Sequence, residues 1–298
     1  MRPILFLAVV CIPAAAPAHE RTPLFPRLHA RLHPQPCPCV PVCPPVAVAE
    51  PEPIPPKKVG SPEFHPFVTL TGRVAWPDGK ALPNLAPLRI VPGLGPVLPN
   101  HQIVDPGTRG VKNVIVWLRP DNTDRAKTFP LSRIEPSLLS PELQLHTVGV
   151  KGGQYEPRVL AARGGDRLQF RNTAPVGINL NYSSDVESMN ILLKPAQAVA
   201  LKNPLEVQRT PIAFKCDIHP WMAGRVRVFD HPYYATTDKD GKFEIKDAPV
   251  GKWRIVYWHE DGFHKGKDGI LGFPIEIKGD KATLELDPIK LELPAPPK

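Results

Sequence analysis

From residue 67 the chain alternates apolar and polar positions with a period of two. Val68-Thr69-Leu70-Thr71-Gly72-Arg73-Val74 is the first such run, and it stops at Trp76-Pro77-Asp78-Gly79, which predicts a strand closed by a hairpin-type turn. Val111 to Leu118 (VKNVIVWL) is instead a β-branched run ending in Arg119-Pro120, which predicts a buried strand. Residues 120–145 are rich in Pro and Ser and predict loops with one short helix. Further strands are predicted at 158–162, 168–170, 199–201, 212–216 and 225–229. Beyond His231 the alternation resumes. Asp238-Lys239-Asp240-Gly241 predicts a turn feeding the strand at Lys242-Phe243-Glu244-Ile245, and Pro249-Val250-Gly251-Lys252 predicts another. Trp253 to Trp258, 274–277 and 284–286 complete the series. No long 3.6-residue periodicity occurs, so the pattern predicts an all-β chain of packed sandwiches.

Composition divides the chain. Arg2, the apolar run Ile4 to Ile12 and an Ala-x-Ala ending at Ala18 have the form of a secretory signal peptide, residues 1–18. The run is too short to span a bilayer as a helix, and no transmembrane segment is expected. The expected location is periplasmic or extracellular. Residues 19–64 hold many of the chain's 41 prolines, which fix φ and remove donors, so this stretch is expected to be a disordered, extended spacer. Residues 65–230 are assigned to one β domain with an N-terminal β extension, and 231–298 to a second, smaller β-sandwich. The net charge of +8 favours anionic partners, but no nucleic-acid motif or Lys/Arg block accompanies it, so no nucleic-acid partner is expected.

Candidate chemistry is concentrated at Cys216-Asp217-Ile218-His219-Pro220-Trp221-Met222, a thiol, an imidazole and a thioether on one short loop between two strands. Soft sulfur suits Cu(I) and imidazole suits Cu(II), and a blue-copper centre combines one Cys, two His and a weak axial Met. Cys216, His219 and Met222 are therefore the candidate metal ligands. Cys37, Cys39 and Cys43 beside His33 can bind a soft metal, although their spacing departs from the C-x2-C of metal knuckles and favours oxidised tail thiols. Asp238-Lys239-Asp240-Gly241 starts like a calcium loop, but Pro249 stands where the closing Glu belongs. His259-Glu260-Asp261-Gly262-Phe263-His264 lacks the spacing of a zinc protease and reads as a solvated polar turn.

The loop C-x2-H-P-W-M resembles the copper loop of amicyanin-type (plastocyanin-like) cupredoxins, where C-x2-H-P-F-M is usual. Gly165 to Asn172 is similar to the strand that leads to the first copper His, and the likeness covers about 110–230. The longer chain resembles exported cupredoxin-like proteins of the methylamine-utilisation type. Residues 231–298 resemble carboxypeptidase-regulatory and transthyretin-like sandwiches, also found as an accessory, non-catalytic domain of rhamnogalacturonan lyases. The resemblance implies a cupredoxin-like Greek-key sandwich, copper as cofactor and no enzymatic activity. It also exposes a departure: before Asn179, where the family has its first copper His, stands Ile178, and Arg158 stands where the group commonly has another His. His146 and His231 are the candidates to replace the missing imidazole. Two readings follow. One is a copper-binding electron carrier with a degenerate site and a redox partner protein. The other is a metal-free envelope scaffold that binds an envelope polymer, carbohydrate or protein.

Overall fold

The computed structural model describes residues 64–83, 86, 89–97 and 103–294. All of them lie in the compact unit Lys57–Lys298. The predicted signal peptide, the proline-rich spacer and its Cys37, Cys39 and Cys43 lie outside the described residues.

The strands in chain order are β1 (Phe67–Ala75), β2 (Arg89–Val91), β3 (Gly95–Val97), β4 (Ile115–Pro120), β5 (Leu145–Lys151), β6 (Gln154–Glu156), β7 (Val159–Arg163), β8 (Arg167–Arg171), β9 (Ile178–Ser183) and β10 (Ser188–Leu193). They continue with β11 (Ala198–Ala200), β12 (Ile212–Lys215), β13 (Ala223–Phe229), β14 (Tyr234–Thr236), β15 (Lys242–Pro249), β16 (Gly251–His259), β17 (Gly262–Phe263), β18 (Phe273–Ile277), β19 (Thr283–Glu285) and β20 (Ile289–Lys290). In place of the short helix expected within 120–145 there are two 3-10 turns, Leu131–Arg133 and Pro136–Leu138. The all-β expectation holds.

Strands β5–β13 form one sandwich. One sheet runs β10-β9-β12-β13-β7 and the other β11-β8-β5-β6. The β7–β13 and β5–β8 pairs are parallel, and the rest are antiparallel. Alternate residues point inward, so Ile178, Leu180 and Tyr182 of β9 meet Leu168 and Phe170 of β8 and Phe214 of β12 in one core.

The second sandwich has sheets β15-β1-β19, with β20 also on β1, and β14-β4-β16-β17, with β18 also on β16. Two strands that the sequence places in the 65–230 domain, β1 and β4, hydrogen-bond here with strands beyond residue 231. β1 pairs antiparallel with β15 and parallel with β19, and β4 lies between β14 and β16. The hairpin predicted after β1 is thus only a turn at Asp78-Gly79, since the partners of β1 lie far downstream. Period two indicates which face of a strand is buried but not which strand it joins.

The same arrangement explains why β4 reads as continuous apolar sequence. Val116 and Leu118 enter the core of the second sandwich with Val68, Leu70, Phe243, Ile255 and Tyr257. Ile115 and Trp117, on the opposite face, pack with Val256 and Trp258 of β16 against Val159 and Phe229 of the first sandwich. Both faces of this sheet are covered, so its strands carry no polar alternation. The Asp-Gly turn before β15 is held by its own carboxylate: Asp238 Oδ1 accepts the Asp240 and Lys242 N–H groups at 2.9 Å each. Gly241 there has φ of +75°, and a Cβ would lie 2.0 Å from the Val74 carbonyl oxygen, so glycine is required.

Candidate functional site

The loop 216–222 closes the β12–β13 hairpin, whose last pair is Lys215 with Ala223. Two backbone bonds shape it: Cys216 N–H donates to Met222 O (2.9 Å) and Met222 N–H to His219 O (2.8 Å). His219 N–H donates to Cys216 Sγ at 3.3 Å, and His219 Nδ1 lies 3.4 Å from the same sulfur. Cys216 (1% exposed) and Met222 (0%) belong to the core of the first sandwich, while His219 is half-buried at the rim. The structure therefore brings the three candidate ligands onto one compact loop, with thiol and imidazole in direct contact.

Outer contacts hold the loop from three sides. Asn179 Oδ1 accepts the Asp217 N–H (2.9 Å), and Asn181 and Asn190 donate to Asp217 Oδ2 at 2.8 and 3.0 Å. The Asn181 bond first, then the Lys215 bond, keep the Asp217 carboxyl below its usual range. Trp221 Nε1 donates to Gly153 O (3.0 Å), tying the loop to the β5–β6 turn. Tyr155 donates to the Asn179 carbonyl at 2.6 Å, and burial drives its hydroxyl pKa upward, so it stays protonated.

The position that the resemblance gives to the first ligand carries hydrocarbon. Ile178 is fully buried at the start of β9, pointing inward like Leu180 and Tyr182, in the same core cluster as Cys216 and Met222. Because Asn179 grips the loop from the next position, Ile178 sits where the sheet meets the loop. Neither substitute imidazole is on the loop. His146 pairs with Asp166 (2.8 Å) on β5. His231 is buried outside the first sandwich core, tilted against Phe129 at 4.7 Å, with its Nδ1 accepting the Tyr233 N–H. Among the described residues no group of three or more His, Cys, Asp or Glu side chains could hold a metal ion. Cys216 and His219 are in direct contact, and Met222 closes the same loop. These residues do not supply the two imidazoles of a blue-copper centre.

Arg158 has a different role from the His it was compared with. Its guanidinium makes a two-point ion pair with Glu260 (Nε–Oε1 2.6 Å, Nη2–Oε2 3.0 Å) and donates to Gln154 Oε1 (3.0 Å) and the Trp221 carbonyl (3.4 Å). Both side chains are nearly enclosed, 11% and 6% exposed. The turn expected to be solvated is therefore buried in part: His259 and His264 are buried, and Glu260 pairs with Arg158, which bonds the loop at Trp221. Nothing local in the sequence marked this pair, whose members lie 102 residues apart.

Strands β5–β13 thus form a two-sheet β-sandwich with the 216–222 loop at the end of the β12–β13 hairpin. Among solved structures, the chain is similar to a reduced amicyanin variant (19% identity, 38% of this chain and 97% of that one, TM-score 0.25). A second amicyanin variant, in its Cu(I) form, gives 18% identity, the same coverage and a TM-score of 0.25. A copper-containing nitrite reductase from Thermus scotoductus SA-01 gives 20% identity, 30% of this chain and 23% of that one, and a TM-score of 0.26. The matched parts cover 30–38% of this chain. No family model and no curated protein matches the chain. No helix among the described residues is long and apolar enough to cross a membrane.

Proposed function

We propose that this chain is an exported, non-catalytic cupredoxin-like protein of the cell envelope that retains copper as Cu(I) on Cys216, His219 and Met222. The observation that supports this most is the 3.4 Å contact between Cys216 Sγ and His219 Nδ1 on a loop whose other end is Met222. Copper bound there would bring a one-electron couple. The chain's own contribution is to hold the thiol and thioether in a dry core, keep the imidazole at the rim, and fix the loop through Asn179, Trp221 and Arg158. Electron transfer to a redox partner protein needs a site that holds both oxidation states, and with Ile178 in place of an imidazole the donor set favours the softer one. Retention of Cu(I) is therefore the proposed activity.

The burial of Ile178 beside Cys216 and Met222 favours a second reading, a metal-free scaffold for a carbohydrate or protein ligand. The test is a Cu(I) competition titration with a chromophoric chelator. It uses the full chain carrying Cys37→Ser, Cys39→Ser and Cys43→Ser, so that only Cys216 remains among the thiols after Cys11. The expected result is one equivalent held by this protein and released when Cys216→Ala is added. Equal, weak copper capture with and without Cys216 would remove the copper reading and leave the scaffold.

A further inference from the structure

Where the two sandwiches meet, and away from the Cys216 loop, the seam opens into a cavity of about 360 Å³. Four arginines converge on it from separate parts of the chain: Arg119 from β4, Arg125 from the following loop, Arg209 from the loop before β12, and Arg227 from β13. Trp117 and Phe263 supply apolar walls, and no carboxylate lines the cavity. The adjoining recess of about 200 Å³ adds Lys127 and one acid, Asp230, which already accepts the Phe129 N–H.

Apart from the Asp124 and Asp121 charges near Arg119, the arginines lack the carboxylate partners that buried guanidinium groups normally have. Among the described residues, none of the four forms an ion pair. Arg119 is 8% exposed and donates to two backbone carbonyls, Leu271 O (3.0 Å) and Asp124 O (2.7 Å). Arg227 lies over the Trp117 ring, 4.8 Å from its centroid, and 5.6 Å from that of Phe229. Its Nη1 donates to Arg209 O at 3.0 Å, while its Nε is buried with no partner. Burial first, and then the neighbouring Arg125 charge, pull the Arg227 pKa down to about 10.

Such a cluster is costly when empty. A charged group removed from water needs a counter-charge, and like charges in a concave, low-dielectric site repel. Exposed arginines relieve this by turning to solvent, but Arg119 and Arg227 are fixed by strand position and by packing. An anion in the cavity relieves both costs. The planar fork of arginine matches carboxylate, phosphate and sulfate oxygens in pairs, and a concave site with apolar walls and a few convergent polar groups is the usual form of a small-molecule pocket. We propose that this seam cavity binds a small molecule bearing a carboxylate, phosphate or sulfate group, with Arg227 and Arg119 at its base and Arg125 and Arg209 at its mouth. The site is independent of the copper reading.

The test is calorimetry and thermal shift on the full chain with three probes, inorganic phosphate, sulfate and glucuronate, each at ionic strength fixed with sodium chloride. At least one is expected to bind saturably at one site per chain and raise the melting temperature beyond the chloride control. Arg125→Ala with Arg209→Ala changes only exposed residues and is expected to weaken that binding at least about tenfold while the unliganded melting temperature stays near wild type, as two lost charge-assisted contacts require. Binding by phosphate or sulfate would assign the site to the inorganic oxyanion itself, and binding by glucuronate alone to an acidic sugar. No probe acting beyond chloride, or binding unchanged in the double variant, overturns the proposal.

Discussion

Replacing Glu260 with alanine removes the only carboxylate that faces the Arg158 guanidinium in the described structure and leaves that charge almost fully enclosed. Removal of one member of a buried ion pair costs roughly 3–5 kcal/mol, because the survivor stays desolvated without its counter-charge. Here Arg158 keeps its bonds to Gln154 and to the Trp221 carbonyl, so the loss falls toward the lower end, about 3 kcal/mol. For a folded body of this size each kcal/mol shifts the melting temperature by roughly 2–4 °C, so the drop is about 6–12 °C. The assay is urea unfolding followed by tryptophan fluorescence, with an unchanged denaturant slope as the check that one transition is being compared. Arg158→Met combined with Glu260→Met removes both charges and is expected to cost less than the two single changes together, by about 2 kcal/mol or more. A Glu260→Ala loss below about 0.5 kcal/mol, the size of an ordinary surface change, would refute the idea that this pair joins loop and second sandwich.

Two further outcomes follow from the site and the core. Ile178→His places an imidazole donor where β9 meets the Cys216 loop. The apo variant is expected to lose about 2–4 kcal/mol, since a buried hydrocarbon becomes a polar ring in the same space, and to turn intensely blue with Cu(II). A colourless product would show that position 178 does not face the Cys216 sulfur. His231 is held neutral, its pKa pushed down to about 3 by burial first and then by Arg163 and Arg227, while Asp230 at 4.0 Å is too far and too exposed to offset this. Its unfolded value is 6.5, so the unfolded chain binds the extra proton between these limits, and stability present above pH 6.5 is lost as pH falls toward 3. At pH 5 the loss depends only on the unfolded pKa and amounts to about 2 kcal/mol. Denaturation midpoints at pH 7 and pH 5 should converge in His231→Gln; an identical pH dependence in the variant would count against a neutral His231.

Most of what the chain shows locally was legible in its sequence. Alternation placed strands at Val68–Val74, 168–170 and 225–229 within the observed β1, β8 and β13, because a strand half-buried in a sandwich must alternate, and the apolar run 253–258 fell within β16. The spacing Cys216-x2-His219-x2-Met222 is itself the loop that brings thiol and imidazole into contact, and Ile178 before Asn179 is an apolar residue of the core beside it. The tertiary structure decided the rest, because pairing is not local. It took β1 and β4 into the second sandwich, and it buried β4 on both faces. It turned a supposedly solvated turn into the Glu260 partner of Arg158, and it gathered Arg119, Arg125, Arg209 and Arg227 around one cavity. A period of two states that a face will be covered; which residues cover it depends on how distant strands close over one another, and no window of the sequence contains both sides of that contact.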